Sequence, residues 1–175
     1  EYDPMRASTR GVGILIQSAL ARNCRRVVIG LGGSASVDAG CGMAAALGVQ
    51  FLDKRGSPLP PGGGGLERLA RIEKSGLDRR MRRTLVVCLA DVHNRLLGPF
   101  GAARLFGPQK GAGMAEVGKL EKNLARWAAI VERDIGVDVL GVEGGGAAGG
   151  AGAGCAAFFG ALPRGGAEWV ARQAG

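Results

Sequence analysis

One short string constrains this chain more than any other: Arg26-Val27-Val28-Ile29-Gly30-Leu31, followed at once by Gly32-Gly33-Ser34-Ala35-Ser36. A β-branched apolar run that stops at glycine has the pattern of a strand buried on both faces of a parallel sheet. The glycines permit a sharp turn and close backbone approach. Asp38 to Leu47 (DAGCGMAAAL) then continues as a helix whose small side chains pack closely on that sheet. Strand, glycine loop and helix together offer backbone N–H groups to an anion. Gly30 to Ala35 also satisfies the dinucleotide fingerprint in its Ala-ended form, and Asp53, ending the next strand, sits where a ribose-binding carboxylate would. A tight βα turn with Asp38 as N-cap explains the same residues without any ligand.

The remainder of the chain repeats the alternation. Thr9 to Ala21 has helical spacing, with Val12, Leu15, Ile16 and Leu20 on one side. Val49 to Asp53 reads as a second strand, Arg55 to Gly65 as a turn and glycine-rich loop, and Leu66 to Ile72 as a short helix. Thr84 to Ala90 (TLVVCLA) is a strand ending at Asp91, after which Val92 to Gly113 is irregular and long for a structureless connection. Met114 to Ile135 keeps a stripe of Val117, Leu120, Leu124, Trp127, Ile130 and Val131 and is a helix. Val137 to Val142 is a further strand candidate, and Gly144 to Gly154 (GGGAAGGAGAG) leads into a small-residue helix through Ala161. Trp169, in the tail, is read as packing. Strands alternating with helices define an α/β fold, a mostly parallel sheet with flanking helices.

Composition narrows the partners. A formal charge of +8 invites a nucleic-acid reading, but the basic residues are scattered and aromatic residues make up only 5%, so no stacking platform is visible. A solvated basic surface with some attraction for anionic substrates fits better. Cys24, Cys41, Cys88 and Cys155 form no CxxC pair, which argues for reduced thiols and against zinc. No apolar run reaches membrane-spanning length, and cytoplasmic localisation is expected. The chain begins at Glu1 and not at Met, so its natural start is expected upstream.

Three other strings bear on chemistry. Gly113 to Leu120 has the spacing of a P-loop without its final hydroxyl residue, and it runs into the most convincing amphipathic helix, so it is rejected. Asp91-Val92-His93-Asn94 follows a strand, where open α/β sheets bind ligands; Asp91 and Asn94 are placed to hold a metal or substrate hydroxyls, unless Asp91 is only a turn or cap residue. Phe106-Gly107-Pro108-Gln109-Lys110-Gly111 presents a lysine flanked by glycines, able to bring charge to a phosphoryl group or simply to sit on the surface. His93 has no visible partner and is read as structural. The glycines of 144 to 154 either wrap a nucleotide or allow a close helix crossing.

Taken together, IGLGGSASVDAGCGM, ALGVQFLD, LADVHNRLLGPFGAARLFGPQKGA and GGGAAGGAGAG, in this order from about Asp3 to about Pro163, resemble the glycerate kinase family of the bacterial type that makes 2-phosphoglycerate. FGPQKGA with the upstream DV-x-N-x-LLGP is the specific part. Family chains are roughly twice this length, so residues 1–175 correspond to a central part, with N- and C-terminal portions lacking. Val37 stands where the family has Asn, Ser36 where it has Thr, Ala39 where it has Gly, His93 where it has Thr and Arg95 where it has Pro. The resemblance implies ATP and Mg²⁺ dependence and D-glycerate as substrate, with no nucleic acid or membrane partner and a homodimer as one assembly. It assigns catalysis to Asp38, Asp91 and Lys110, with Asp38 and Asp91 competing for hydroxyl base and metal ligand. Binding falls to Gly32, Gly33, Ser34, Asn94, Gln109, Gly146, Gly149 and Gly150. The other readings are a nicotinamide-dependent oxidoreductase domain built on the first glycine loop, and an inactive fragment of the kinase.

Overall fold

The computed structural model describes residues 3–174. Helix α1 (Arg10–Ala21) leads into strand β1 (Arg26–Gly30), then α2 (Cys41–Ala46), β2 (Gln50–Leu52), β3 (Arg71–Glu73), β4 (Leu85–Leu89), α3 (Ala102–Phe106), α4 (Met114–Ile135), α5 (Ala147–Phe159), β5 (Pro163–Arg164) and α6 (Gly166–Ala174). Three 3-10 turns, at Gly63–Arg68, Arg79–Arg83 and Pro108–Lys110, fill longer connections.

β1, β4 and β5 make a parallel sheet in that order, with Val28 opposite Val87 and Gly30 opposite Leu89. Alternation along the strands sends Val27, Ile29, Val86 and Cys88 to one face, where they pack on Ile16 and Leu20 of α1 and Met43 and Leu47 of the α2 segment. The other face is only partly covered: Val87 is buried there, but Val28 is 43% and Leu85 55% exposed. β1 is therefore not buried on both faces as its composition suggests. It is an edge strand, and Arg26 and Leu85 line a cavity with Leu162 and with Trp169 and Gln173 of α6.

The second apolar cluster is larger and centres on α4. Leu120, Leu124, Trp127 and Val131, the predicted stripe, are completely buried against α5, the 63–68 turn and the β2–β3 pair. The Glu116 carboxylate accepts from the Gly113 N–H at 2.9 Å, satisfying one of the free donors at the start of α4. Gly136 ends the helix in the left-handed region.

Several expectations are corrected. β2 does not join the parallel sheet; it pairs antiparallel with β3, Phe51 opposite Ile72. Leu66 to Ile72 is not one helix but a 3-10 turn followed by β3, whose Ile72 N–H donates to Asp134 at 2.8 Å. The 137–142 segment is not a strand: Val139 plugs the core, and the Asp138 carboxylate accepts from Leu140 N–H in a local turn that competes with extended pairing. The irregular 92–113 stretch holds α3 and the Pro108–Lys110 turn. No helix is long and apolar enough to cross a membrane among the described residues.

Candidate functional site

β1 and β4 run parallel, so the loops that follow them, 31–36 and 90–98, leave the same edge of the sheet. Here Gly30, Gly32, Gly33, Ser34 and Ser36 line a cavity of about 330 Å³ together with Ser8, Thr9 and Ala148. A methyl group added at Gly30, Gly32 or Gly33 would meet nothing within 4 Å, so the backbone faces open space. Gly33 has φ +60°, a conformation that favours glycine. The Ser34 hydroxyl accepts from Ser36 N–H at 3.1 Å and lies 2.8 Å from the Ser36 hydroxyl, which fixes the loop's shape.

Lys110 reaches the underside of this loop. Its ammonium donates to the Ser36 carbonyl at 2.7 Å, and the residue is only 6% exposed. Gly111, at φ +95°, turns the chain sharply after it. Burial pulls the Lys110 pKa down to about 8, and the negative charge of Asp38 works against that fall. Lys110 is thus a buried cation, not a surface charge. Its neighbour Gln109 is exposed and does not line the cavity.

Asp38 is 1% exposed and heavily bonded. Oδ2 accepts from Thr9 N–H and Thr9 Oγ1, both at 2.9 Å, from Gly42 N–H at 3.2 Å and from Ser8 Oγ at 3.3 Å. Oδ1 accepts from Gly40 N–H at 3.1 Å. The carboxylate therefore does cap the start of α2, as one reading of the sequence had it, and it also ties the segment before α1 to that helix. Thr9 was not singled out from sequence. Its hydroxyl additionally accepts from Met43 N–H at 3.0 Å, and a threonine just before a helix carries no sign of a partner 29 residues away.

The remaining candidates divide. Asp91 stands exposed just past β4; Oδ1 accepts from Gly166 N–H at 2.8 Å and caps α6, while Oδ2 accepts no hydrogen bond among the described residues. Asn94 lies against Gly146, whose missing side chain makes room for it, and both its amide atoms are buried without a partner. Gly149 and Gly150 do not border open space: side chains there would strike Ser36 and Val37, or Leu96 and Ala39. Gly149 O accepts from Ala39 N–H at 3.1 Å, locking α5 against the loop after β1. Of the two readings of the late glycines, the close crossing is the one observed. Val37 is wholly buried in the larger apolar cluster.

Two sequence alternatives lose their geometry. The dinucleotide fingerprint needs its acidic residue on the neighbouring parallel strand, whereas Asp53 follows β2 in the separate antiparallel pair and accepts from the Arg55 and Ser57 N–H groups of a turn. Gly118 and Lys119 lie inside α4, so the P-loop spacing is accidental. His93 pairs with Glu143 at 2.9 Å on the surface, both side chains more than three-quarters exposed.

A three-stranded parallel sheet with flanking helices defines an α/β chain. The chain belongs to the glycerate kinase family, whose model matches residues 1–175. It is 44% identical over 168 residues to the glycerate 2-kinase of Escherichia coli K12, covering 96% of this chain and 44% of that protein. It is 45% identical over 150 residues to a glycerate kinase of Bacillus subtilis, covering 86% and 39%. The crystal structure of a glycerate kinase 2 from Salmonella typhimurium LT2 superposes with a TM-score of 0.96 at 45% identity, over 98% of this chain and 46% of that one. The chain thus spans under half the length of these relatives.

Proposed function

We propose that this chain is the phosphate-gripping part of an ATP-dependent glycerate kinase acting on D-glycerate in the cytoplasm, with 2-phosphoglycerate as product. One observation carries the reading: a glycine loop with open space at Gly30, Gly32 and Gly33 runs on to Ser36, whose carbonyl accepts from the buried Lys110 ammonium at 2.7 Å. Phosphoryl transfer asks chiefly for positioning and for stabilisation of charge on the moving group.

In this reading Gly32, Gly33 and Ser34 offer donors to a phosphate or carboxylate, and Lys110 neutralises charge. Asp38, its lone pairs largely committed, holds the loop and favours the charged form of Lys110. Asp91 keeps Oδ2 for a substrate hydroxyl proton or for magnesium. No cluster of three metal-binding side chains occurs among the described residues, and a single carboxylate fits an ion that is held mainly by substrate phosphates and water. The buried, unpaired amide of Asn94 fits a role in orienting substrate hydroxyls. Gln109 is assigned to the outer rim. Gly146, Gly149 and Gly150 contribute by seating α5 beneath the loop. A homodimer is compatible with this arrangement.

Incubating the chain with ATP, Mg²⁺ and D-glycerate, with phosphoglycerate read by phosphorus NMR, tests the reading. Formation of the 2-phosphate, abolished in Lys110→Met, supports it. An ATP-induced rise in Tm without product would reduce the chain to a binding module, and the absence of both product and Tm rise would overturn the proposal.

A further inference from the structure

A second cavity, of about 310 Å³, shares Ser8 with the glycine-loop cavity. Its walls are apolar: Ala45 of α2, Phe51 of β2, then Leu59, Pro60 and Leu66. Polar groups enter only at the Ser8 and Arg10 side, where Arg10 is exposed and its N–H donates to Ser8 Oγ at 3.3 Å. Small-molecule sites have this character, an apolar concavity with a few polar groups at one end. Prolines and a phenylalanine ring make flat, stiff walls that suit a planar heterocycle. Ser8 lines both cavities. A molecule with a planar ring at one end and phosphates at the other can therefore occupy both, passing Ser8, with its anionic end toward the glycine loop and the Arg10 guanidinium beside the linker.

We infer that the cavity between α2, β2 and the 59–66 segment receives the purine ring of the nucleotide, with its phosphates directed past Ser8 to the 30–36 loop. This rests on the kinase reading and adds to it a location and a polarity for the nucleotide. Recognition is by shape and apolar contact, which makes adenosine alone a sufficient probe of the pocket and tripolyphosphate a sufficient probe of the loop.

Titration of the chain with adenosine and, separately, with tripolyphosphate tests the inference in the wild type and in Ala45→Leu, which fills the cavity. Adenosine affinity should fall by about tenfold or more, while tripolyphosphate affinity stays unchanged. Because Ala45→Leu could disturb α2, irradiation of the wild-type chain with 8-azidoadenosine gives an independent readout. The label should fall in the tryptic peptide Gly56–Arg68, which carries the Leu59 to Leu66 wall, or at Ala45 to Phe51 of the peptide Val27–Lys54, the facing wall, and excess adenosine should suppress it. Labelling elsewhere, no adenosine binding, or a folded Ala45→Leu that binds adenosine normally overturns the inference. In each of those cases glycerate phosphorylation with loss in Lys110→Met would still leave the kinase reading standing.

Discussion

Gly30 to Gly33 and Gly144 to Gly154 look alike in sequence and are glycine-rich for opposite reasons. In the first, added side chains at Gly30, Gly32 and Gly33 would project into open space. In the second, Gly146, Gly149 and Gly154 each sit so close to another segment that a Cβ would come nearer than 3.0 Å to backbone oxygen, of Arg95, Ser36 and Ala39 respectively. One stretch keeps glycine so that something outside the fold can approach it. The other keeps glycine because α5 crosses the loops after β1 and β4 at backbone distance, and so supports the first from below.

The sharpest way to break this comparison is to give both stretches the same substitution. Gly154→Ala should destabilise the fold by about 3 kcal/mol or more, since the obstructing atoms are backbone and cannot rotate away. Gly32→Ala should change stability by no more than about 0.5 kcal/mol yet weaken phosphate-ligand binding. Urea denaturation of both variants, with an ATP titration of the second, decides the matter. Equal losses of stability would erase the distinction.

The link between the two stretches, Lys110 under Ser36, is expected to show itself in the pH dependence of stability. Folded Lys110 releases its proton near pH 8, while the unfolded chain holds it up to about 10.5. Between those values the unfolded state binds more protons, so stability rises with pH. Below pH 8 both states are protonated and the cost of burying the charge is constant. The increase attributable to this group is about 3 kcal/mol at most, and it should vanish in Lys110→Met. Denaturation from pH 7.5 to 10.5 in both proteins isolates it; identical slopes would mean that Lys110 is not buried as a cation.

A smaller effect should follow from Thr9. Thr9→Val removes one donor to Asp38 and the acceptor for Met43 N–H, leaving both groups buried, at a cost of about 2 kcal/mol. Thr9→Ser should restore most of it, because only the hydroxyl is used. Failure of serine to rescue would assign the loss to the methyl group and weaken the role given to this residue.

How far the sequence discloses these features depends on where each cause lies. α4 was legible to the residue, because its stripe repeats over about four turns and its ends carry Gly113 and Gly136. β1 and β4 were legible as β-branched runs. β3 was not: Leu66, Leu69 and Ile72 fall three apart like a helical face, and only pairing with β2 and the Asp134 carboxylate makes Ile72 extended. Of the site, the glycine loop and Lys110 were visible as strings. That Asp38 answers to Thr9, and that the late glycines yield to Ser36 and Ala39, depends on partners remote in the chain. A glycine in a sequence says that a side chain is unwelcome; it does not say what stands in its place.

The last test lies between the two glycine stretches, at Ala39. This residue has φ +52° and is completely buried, with its carbonyl against Gly154 and its Cα and Cβ beside Gly150. An L-residue in that region costs roughly 1–2 kcal/mol that glycine does not incur, and the wider freedom of glycine in the unfolded chain returns about 0.5–1 kcal/mol of that. Ala39→Gly should therefore stabilise the protein by up to about 1 kcal/mol, with the loop after β1 unchanged in position and ATP affinity unaltered. Calorimetric Tm measured beside the wild type reads the gain. A loss instead would mean that the Ala39 methyl group contributes more by filling space between the loop and α5 than its backbone strain costs, and the crossing would then be held by side-chain packing as well as by the absence of side chains.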